Sequence, residues 1–252
     1  MGSAERTIVV VPCYNEADRL RADVFLGYAR EHEFVNFLFV DDGSTDATFE
    51  VLQALAREAP SSMEVLRLER NSGKAEAVRR GVLAAFGAKP ACIGYWDADL
   101  ATPLRYIETF EEILRHPPAK LVLGSRVRLL GRHVERAAVR HYLGRGFATI
   151  AGAALRIPIY DTQCGAKLFR ADPIFRSAFE APFELTWSFD VELFARLIGL
   201  GERSGELDPA TQFVEYPLEE WRDAPGSKIR AVHFPRIGWE VLRLFWLARR
   251  AR

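Results

Sequence analysis

The chain predicts an α/β fold: a mainly parallel, Rossmann-like sheet flanked by helices. Two observations carry this. Short β-branched runs alternate with helical patterns through the first half, and each run ends in a cluster of polar residues. Ligands of such sheets gather beyond the carboxyl ends of the strands, so the second observation also locates a site.

The elements follow in order. Thr7–Val11 is the first expected strand, and Pro12-Cys13-Tyr14-Asn15-Glu16 closes it. A helical pattern near Glu16–Glu31 leads to a strand at Phe37–Val40, which ends in Asp41-Asp42-Gly43-Ser44. A helix near Asp46–Ala59, a strand at Met63–Leu68, the turn Asn71-Ser72-Gly73-Lys74 and a helix near Lys74–Phe86 continue the alternation. Ala91–Trp96 is the fourth strand and runs into Asp97-Ala98-Asp99; Leu121–Gly124 is the fifth. Beyond Gly124 the pattern loosens. Arg126–Gly146 is rich in arginine, Ala148–Leu155 is small and apolar, and Pro158–Phe169 reads as a loop entering a short strand. A helix over Trp187–Leu200, a strand at Gln212–Tyr216 and a loop at Pro217–Ser227 complete the body. From Lys228 to Arg252, apolar and aromatic residues mix with seven lysines or arginines against Glu240 alone, the pattern of an amphipathic helix at an interface. A helix packed on its own domain is the competing reading.

Composition sets bounds. A chain of 252 residues, 49% of them hydrophobic, buries one good core or two small ones, which fits one catalytic domain over 1–227 with an appendage over 228–252. Lys plus Arg and Asp plus Glu both number 34, so there is no overall electrostatic footprint for nucleic acid. Cys13, Cys92 and Cys164 lack paired spacing, which argues against a zinc site or a disulfide framework and for a reducing cytosol. The first six residues lack the apolar core of a signal peptide, and no apolar stretch is long enough to cross a bilayer. The expectation is a cytoplasmic protein, peripheral on the cytoplasmic membrane face.

Asp97-Ala98-Asp99 is the most informative motif. Magnesium and manganese are hard cations that need only one or two carboxylates when a diphosphate supplies further oxygens. Turn chemistry is the bland alternative, because strand-end aspartates often accept from nearby amides. Asp41 and Asp42 also close a strand, where a carboxylate can accept a base imide hydrogen or a ribose hydroxyl. Ser44 or Asp46 can cap the following helix, with Glu50 near the capping-box position. Asn71-Ser72-Gly73-Lys74 is either a small anion cradle at a helix start or a turn with a solvated lysine. It lacks Walker spacing. Arg128, Arg132, Arg136 and Arg140 recur at intervals of four, with Arg126 before, Arg145 after and Glu135 as offset. On one helix they form a stripe whose self-repulsion asks for an anionic partner, although such a stripe is often only a solvated face. Three further stretches combine polar and aromatic residues: Tyr160–Phe169, Trp187–Leu193 and Glu219–Lys228.

Together these residues resemble the family 2 inverting glycosyltransferases, and among them the polyprenyl- or dolichyl-phosphate sugar synthases. The motifs at Val10–Glu16, Asp41–Ser44, Asn71–Lys74 and Asp97–Asp99 are similar to general donor-site motifs. Asp161–Phe169, Phe189–Leu193 and Trp221 through Lys228 are similar to the dolichyl-phosphate β-glucosyltransferase branch.

The resemblance implies a GT-A type fold. It also implies that Pro12, Tyr14, Glu16, Asp41, Asp42, Lys74 and Ala98 surround the nucleotide-sugar donor. Asp97 and Asp99 then address the sugar and a Mg2+ or Mn2+ on the diphosphate. Arg126 with Arg136 or Arg140 holds a lipid phosphate, and Lys167 and Asp190 line the reaction centre. Leu100-Ala101-Thr102 after the acidic pair is closer to the glucosyl than the mannosyl type, favouring UDP-glucose over GDP-mannose. Eukaryotic glucosyl synthases resemble proteins with an N-terminal membrane helix that this sequence lacks, so attachment through the basic C-terminal segment and a prokaryotic acceptor are expected. A family 2 enzyme acting on a hydroxyl acceptor, such as a polysaccharide or glycan, needs a true base, for which Asp190 is the candidate. A non-catalytic nucleotide-sugar sensor is a further rival. A nucleotidyltransferase would want a Gly-rich loop after the first strand, which Pro12-Cys13-Tyr14-Asn15 is not.

Overall fold

A strand that is apolar at consecutive positions has to be covered on both faces. The computed structural model describes residues 6–127, 129–135, 138–222, 240 and 243, with the side chains of 135 and 138–145 outside that description. It meets the requirement with three layers. In chain order the elements are β1 (Thr7–Cys13), α1 (Ala22–Glu31), β2 (Val35–Asp41), α2 (Thr48–Glu58), β3 (Met63–Arg67), α3 (Lys74–Gly87) and β4 (Cys92–Trp96). Then come α4 (Tyr106–Arg115), β5 (Leu121–Ser125), β6 (His133–Glu135), α5 (Ala138–Leu155), β7 (Ala166–Arg170) and α6 (Pro173–Glu180). Next are α7 (Phe189–Ser204), α8 (Pro209–Gln212), β8 (Phe213–Pro217) and β9 (Glu220–Arg222).

The main sheet has the order β3-β2-β1-β4-β7-β5-β8. Successive side chains of a strand point to opposite faces, and β1 shows it: Ile8 and Val10 pack with α3 and α7 residues, whereas Val9 and Val11 pack with Phe25, Leu52 and Phe110 from the helices opposite. The order reverses between β1 and β4. That reversal opens a crevice beyond their carboxyl ends, the usual ligand position in such sheets. β7 lies antiparallel between β4 and β5, so its leading end reaches the edge where its neighbours finish. Gly165 thereby arrives beside Asp97.

Several expectations are corrected. The helix expected near Glu16–Glu31 begins only at Ala22, because residues 14–21 form turns in which the Glu16 carbonyl accepts from Arg19 and Leu20. The arginines do not share one helix. Arg126 and Arg132 stand in loop around a turn, β6 follows, and α5 starts only at Ala138, carrying Arg140; Arg128 and Arg136 lie outside the described residues. The β6–β9 pairing explains the interruption, since a strand pairing to distant residues overrides a local four-residue spacing. The loop expected at Pro217–Ser227 accordingly contains β9. Helices α4 and α6 join the expected set, both amphipathic, with Ile107, Phe110 and Leu114 or Ile174, Phe175 and Phe179 buried.

Of the C-terminal segment, Glu240 and Arg243 are described, both helical. Glu240 is 1% exposed and accepts from the Ser188 amide and hydroxyl at 2.9 and 2.6 Å, immediately before α7. Arg243 pairs with Glu184. Among the described residues no helix is long and apolar enough to cross a membrane.

The start of α7 is also held by Glu192, whose carboxylate accepts from the Glu184 and Leu185 amides at 2.9 and 2.8 Å and pairs with Arg196 at 2.6 Å. Removing it strands buried donors and a cation. Glu192→Ala is expected to lower stability by about 2–4 kcal/mol, read as a reduced urea midpoint at unchanged slope.

Candidate active site

The tips of β1 and β2 form one stitched surface. Asn15 adopts φ of 50°, a conformation Asn tolerates better than most residues. Its amide donates to Ser44 Oγ at 3.0 Å, and its side-chain oxygen accepts from the Thr45 amide at 2.9 Å. The Glu16 amide donates to Thr48 Oγ1 at 2.8 Å. Asp46 accepts from the Thr48 amide at 3.0 Å, fixing the start of α2. Pro12, Tyr14 and Glu16 are thus set half-buried along the crevice.

Asp41 and Asp42 divide their work. Asp42 accepts from the amides of Ser72 and Gly73, each at 2.8 Å. The Ser72 and Gly73 amides before α3 are therefore taken by the protein's own carboxylate, which favours the turn over the anion cradle of the two readings. Burial raises the Asp42 pKa, and the two amides oppose that rise. Asp41 is fully buried. One oxygen accepts from the Ser44 amide at 3.2 Å; the other, Oδ2, has no hydrogen-bond partner among the described residues and faces Arg67 Nε at 3.5 Å. A buried acceptor without a donor is costly, so this oxygen is suited to a ligand N–H or O–H.

Asp97 and Asp99 stand on the turn after β4, in which the Leu100 amide donates back to the Asp97 carbonyl and Leu100 takes φ of 54°. Asp97 rests on Gly165. A Cβ there would meet Asp97 Oδ2 at 1.9 Å, so only glycine leaves room for the carboxylate. The Asp97 amide donates to the Gly165 carbonyl at 3.0 Å. From α3, Lys74, exposed to solvent, reaches over to pair with Asp97. Burial disfavours the Lys74 charge, but Asp97, Asp190 and Asp99 outweigh it and raise the pKa. Solvent reaches Asp99, yet desolvation of its carboxyl raises the pKa and the charges of Asp97 and Glu16 add to this, while the Ala101 amide and Lys74 act against it. Glu16, Lys74, Asp97, Asp99 and Asp190 therefore share one field.

No three His, Cys, Asp or Glu side chains among the described residues gather into a complete metal cage. The Asp97–Asp99 pair nonetheless fits a divalent magnesium or manganese, which takes its remaining oxygens from a diphosphate. Asp99 is exposed and stands beside the Asp97 carboxylate, a pairing of like charge that a cation would relieve.

Beneath this surface lies a buried charge network. Lys167 is 0% exposed; its Nζ lies 2.7 Å from Asp190 Oδ1 and donates to the Cys164 carbonyl at 2.6 Å. The Tyr95 hydroxyl donates to the same Asp190 oxygen. Burial and the Asp190 charge push the Tyr95 pKa well above its ordinary value, so the phenol stays a donor. Lys167 and Asp190, both expected to line the reaction centre, are buried and pair with each other.

On the far side Arg126 lies against Asp161 through Nε at 2.6 Å and Nη2 at 2.8 Å, with Trp221 5.4 Å below the guanidinium. Asp161 is steadied by Glu215, which accepts from the Tyr160 and Asp161 amides at 2.8 and 2.6 Å. Burial works against the Arg126 charge, but Asp161, Cys164 and Asp97 raise its pKa. Arg136 lies outside the described residues, as does the side chain of Arg140. Sequence reasoning left out Tyr95 and Glu215. Both sit in expected strands, and their signal was a polar group at an inward position, legible only once pairing put Tyr95 opposite Lys167.

Comparisons with known proteins place the chain in a family. The family model described as Glycosyl transferase family 2 matches residues 8–175. Dolichyl-phosphate beta-glucosyltransferase of Dictyostelium discoideum is 33% identical over 240 residues, covering 88% of this chain and 68% of that protein. The protein of the same name from Homo sapiens is 32% identical over 240 residues with the same coverage. Among solved structures, glucosyl-3-phosphoglycerate synthase from Mycobacterium tuberculosis, in complex with Mn2+, UDP-glucose and phosphoglyceric acid, matches with a TM-score of 0.64 at 17% identity, covering 97% of this chain and 79% of that one. At that identity the likeness speaks for the fold alone.

The Gly165–Asp97 contact gives a sharp test. Gly165→Ala is expected to keep the folded circular-dichroism spectrum while turnover falls by about a hundredfold, the usual scale for displacing a site group by an ångström.

Proposed function

Because the chain belongs to glycosyl transferase family 2, and is therefore a glycosyltransferase with a GT-A type fold, we propose that it transfers a hexose, glucose from UDP-glucose, to a polyprenyl or dolichyl phosphate with inversion at the anomeric carbon. One observation carries the choice of acceptor. Asp190, the residue singled out as a general base, is buried and already accepts from Tyr95 and Lys167. A hydroxyl acceptor needs a base at the reacting atom. A phosphate monoester needs none, since its second pKa is about 6 and it is largely dianionic near neutrality. The relatives named as dolichyl-phosphate beta-glucosyltransferases support the same reading.

Each residue then has a task. Asp41 Oδ2 would accept from the nucleotide, with Pro12, Tyr14, Glu16 and Ala98 as its walls, and Asp42 would hold the turn that carries Lys74. Lys74 and Asp97 would position the sugar and its diphosphate. Asp99, with Asp97, would hold Mg2+ or Mn2+, whose contribution when bound is to neutralise diphosphate charge. Arg126, oriented by Asp161, would offer its remaining N–H donors to the acceptor phosphate, joined by Arg136 or Arg140. An acceptor oxygen forms the bond to the anomeric carbon as the bond to the diphosphate breaks, and the nucleoside diphosphate leaves. Lys167 and Asp190 serve as positioning residues.

Residues 1–227 would be the catalytic domain and 228–252 the attachment to the cytoplasmic face of a membrane, with Glu240 tying that segment to α7.

Incubation with a panel of nucleotide sugars and a short polyprenyl phosphate, followed by mass measurement, is expected to give a hexosyl phospholipid from UDP-glucose. Transfer to sugar hydroxyls alone would reject the reading. Arg126→Ala is expected to raise the acceptor KM at least about tenfold while leaving the donor KM near wild type; an unchanged acceptor KM would remove Arg126 from the site.

A further inference from the structure

Isolated apolar side chains on a surface are ordinary; adjacent ones held out into solvent call for a reason. Among the described residues the exposed large hydrophobics are Leu129 at 49%, Leu130 at 104% and Ile150 at 37%, and the first two are consecutive. They form the tip of a turn. The Arg132 amide donates to the Leu129 carbonyl at 3.1 Å, and Gly131 supplies φ of +78°, which a side chain would resist.

The turn is braced at both ends. On the incoming side, the Arg126 amide and guanidinium are fixed to Asp161. On the outgoing side, Arg132 pairs with Glu219 at 2.5 Å, the His133 amide donates to the Glu219 carbonyl at 2.7 Å, and β6 pairs with β9. The Tyr106 hydroxyl anchors that ribbon by accepting from the Glu219 and Glu220 amides, both at 2.9 Å. Two leucines are thus projected outward by a framework that begins at Arg126, at most about 14 Å of chain away.

We propose that the Leu129–Leu130 turn is a finger that inserts into the interfacial layer of an anionic bilayer, bringing the Arg126 edge of the crevice to the lipid phosphate. The inference rests on the lipid-phosphate reading of the acceptor. A patch two side chains wide is far below the area of a stable protein interface. It does match a headgroup boundary, where leucines enter the acyl region and arginines meet phosphate, and the sequence puts Arg128 directly before the leucines.

The test uses the full chain with vesicles of phosphatidylcholine containing phosphatidylglycerol and no sugar donor. The double variant Leu129→Ser, Leu130→Ser is expected to sediment with vesicles at least about tenfold more weakly than wild type. The tryptophan fluorescence added by Leu130→Trp is expected to shift to the blue with vesicles and to be quenched by lipids brominated high in the acyl chain. With a water-soluble short-chain prenyl phosphate, the double variant is expected to turn over as wild type does; with a long-chain acceptor in vesicles, it should lose about the same factor as in binding. Equal sedimentation of the two proteins, absence of vesicle binding by wild type, or no blue shift overturns the finger even where lipid-phosphate transfer is found. Lost vesicle binding in the variant without transfer to any lipid phosphate in wild type supports the finger and rejects the acceptor reading. A change in oligomeric state by light scattering with vesicle binding intact reassigns the turn to a contact between copies and overturns the proposal.

Discussion

Lys167 is fully buried within the sheet, and a buried amine is tolerable only where its charge and hydrogen bonds are met. Asp190 and the Cys164 carbonyl meet them, which binds β7 to the first turn of α7 and fixes the backbone just before Gly165. On Gly165 rests the Asp97 carboxylate, and on Asp97 rests Lys74. The geometry of the crevice floor therefore descends from one buried ion pair. Removing either partner would leave the other charged and unmatched, which is why such pairs hold a site in shape even where they add little net stability.

This arrangement separates residues that hold from residues that face the crevice. Asp42, Asp161, Lys167, Asp190 and Glu215 direct their charge inward, to backbone amides or to each other. Asp99 is exposed and Asp41 Oδ2 lacks a hydrogen bond among the described residues, while Lys74 and Arg126 are each held by an aspartate, Asp97 and Asp161. Preorganised charge of this kind acts without reorganisation when charge develops on a substrate. It suits a reaction whose main obstacle is repulsion between two phosphates.

The acid pair and the arginine sit on opposite walls joined by β7, whose antiparallel insertion carries Cys164 and Gly165 between them. The Arg126 wall continues into the β6–β9 ribbon and its projecting leucines. Glu240 adds a further tie at the start of α7, the same turn that supplies Asp190.

The sequence by itself determined the α/β class, the parallel strands of the first half and the edge at which their polar ends meet, because apolar periodicity and turn residues are local signals. It also marked Asp97, Asp99, Lys74, Arg126, Lys167 and Asp190 as residues of interest. The tertiary structure decided their partners. The filling of the Ser72–Gly73 amides by Asp42, the room that Gly165 leaves for Asp97, the burial of Asp190 under Tyr95 and Lys167, and the break in the arginine series at β6 all depend on contacts between residues far apart in the chain. Whether a charged side chain is solvated, paired or pointed at a ligand is set by what long-range packing brings beside it, and local spacing carries no record of that.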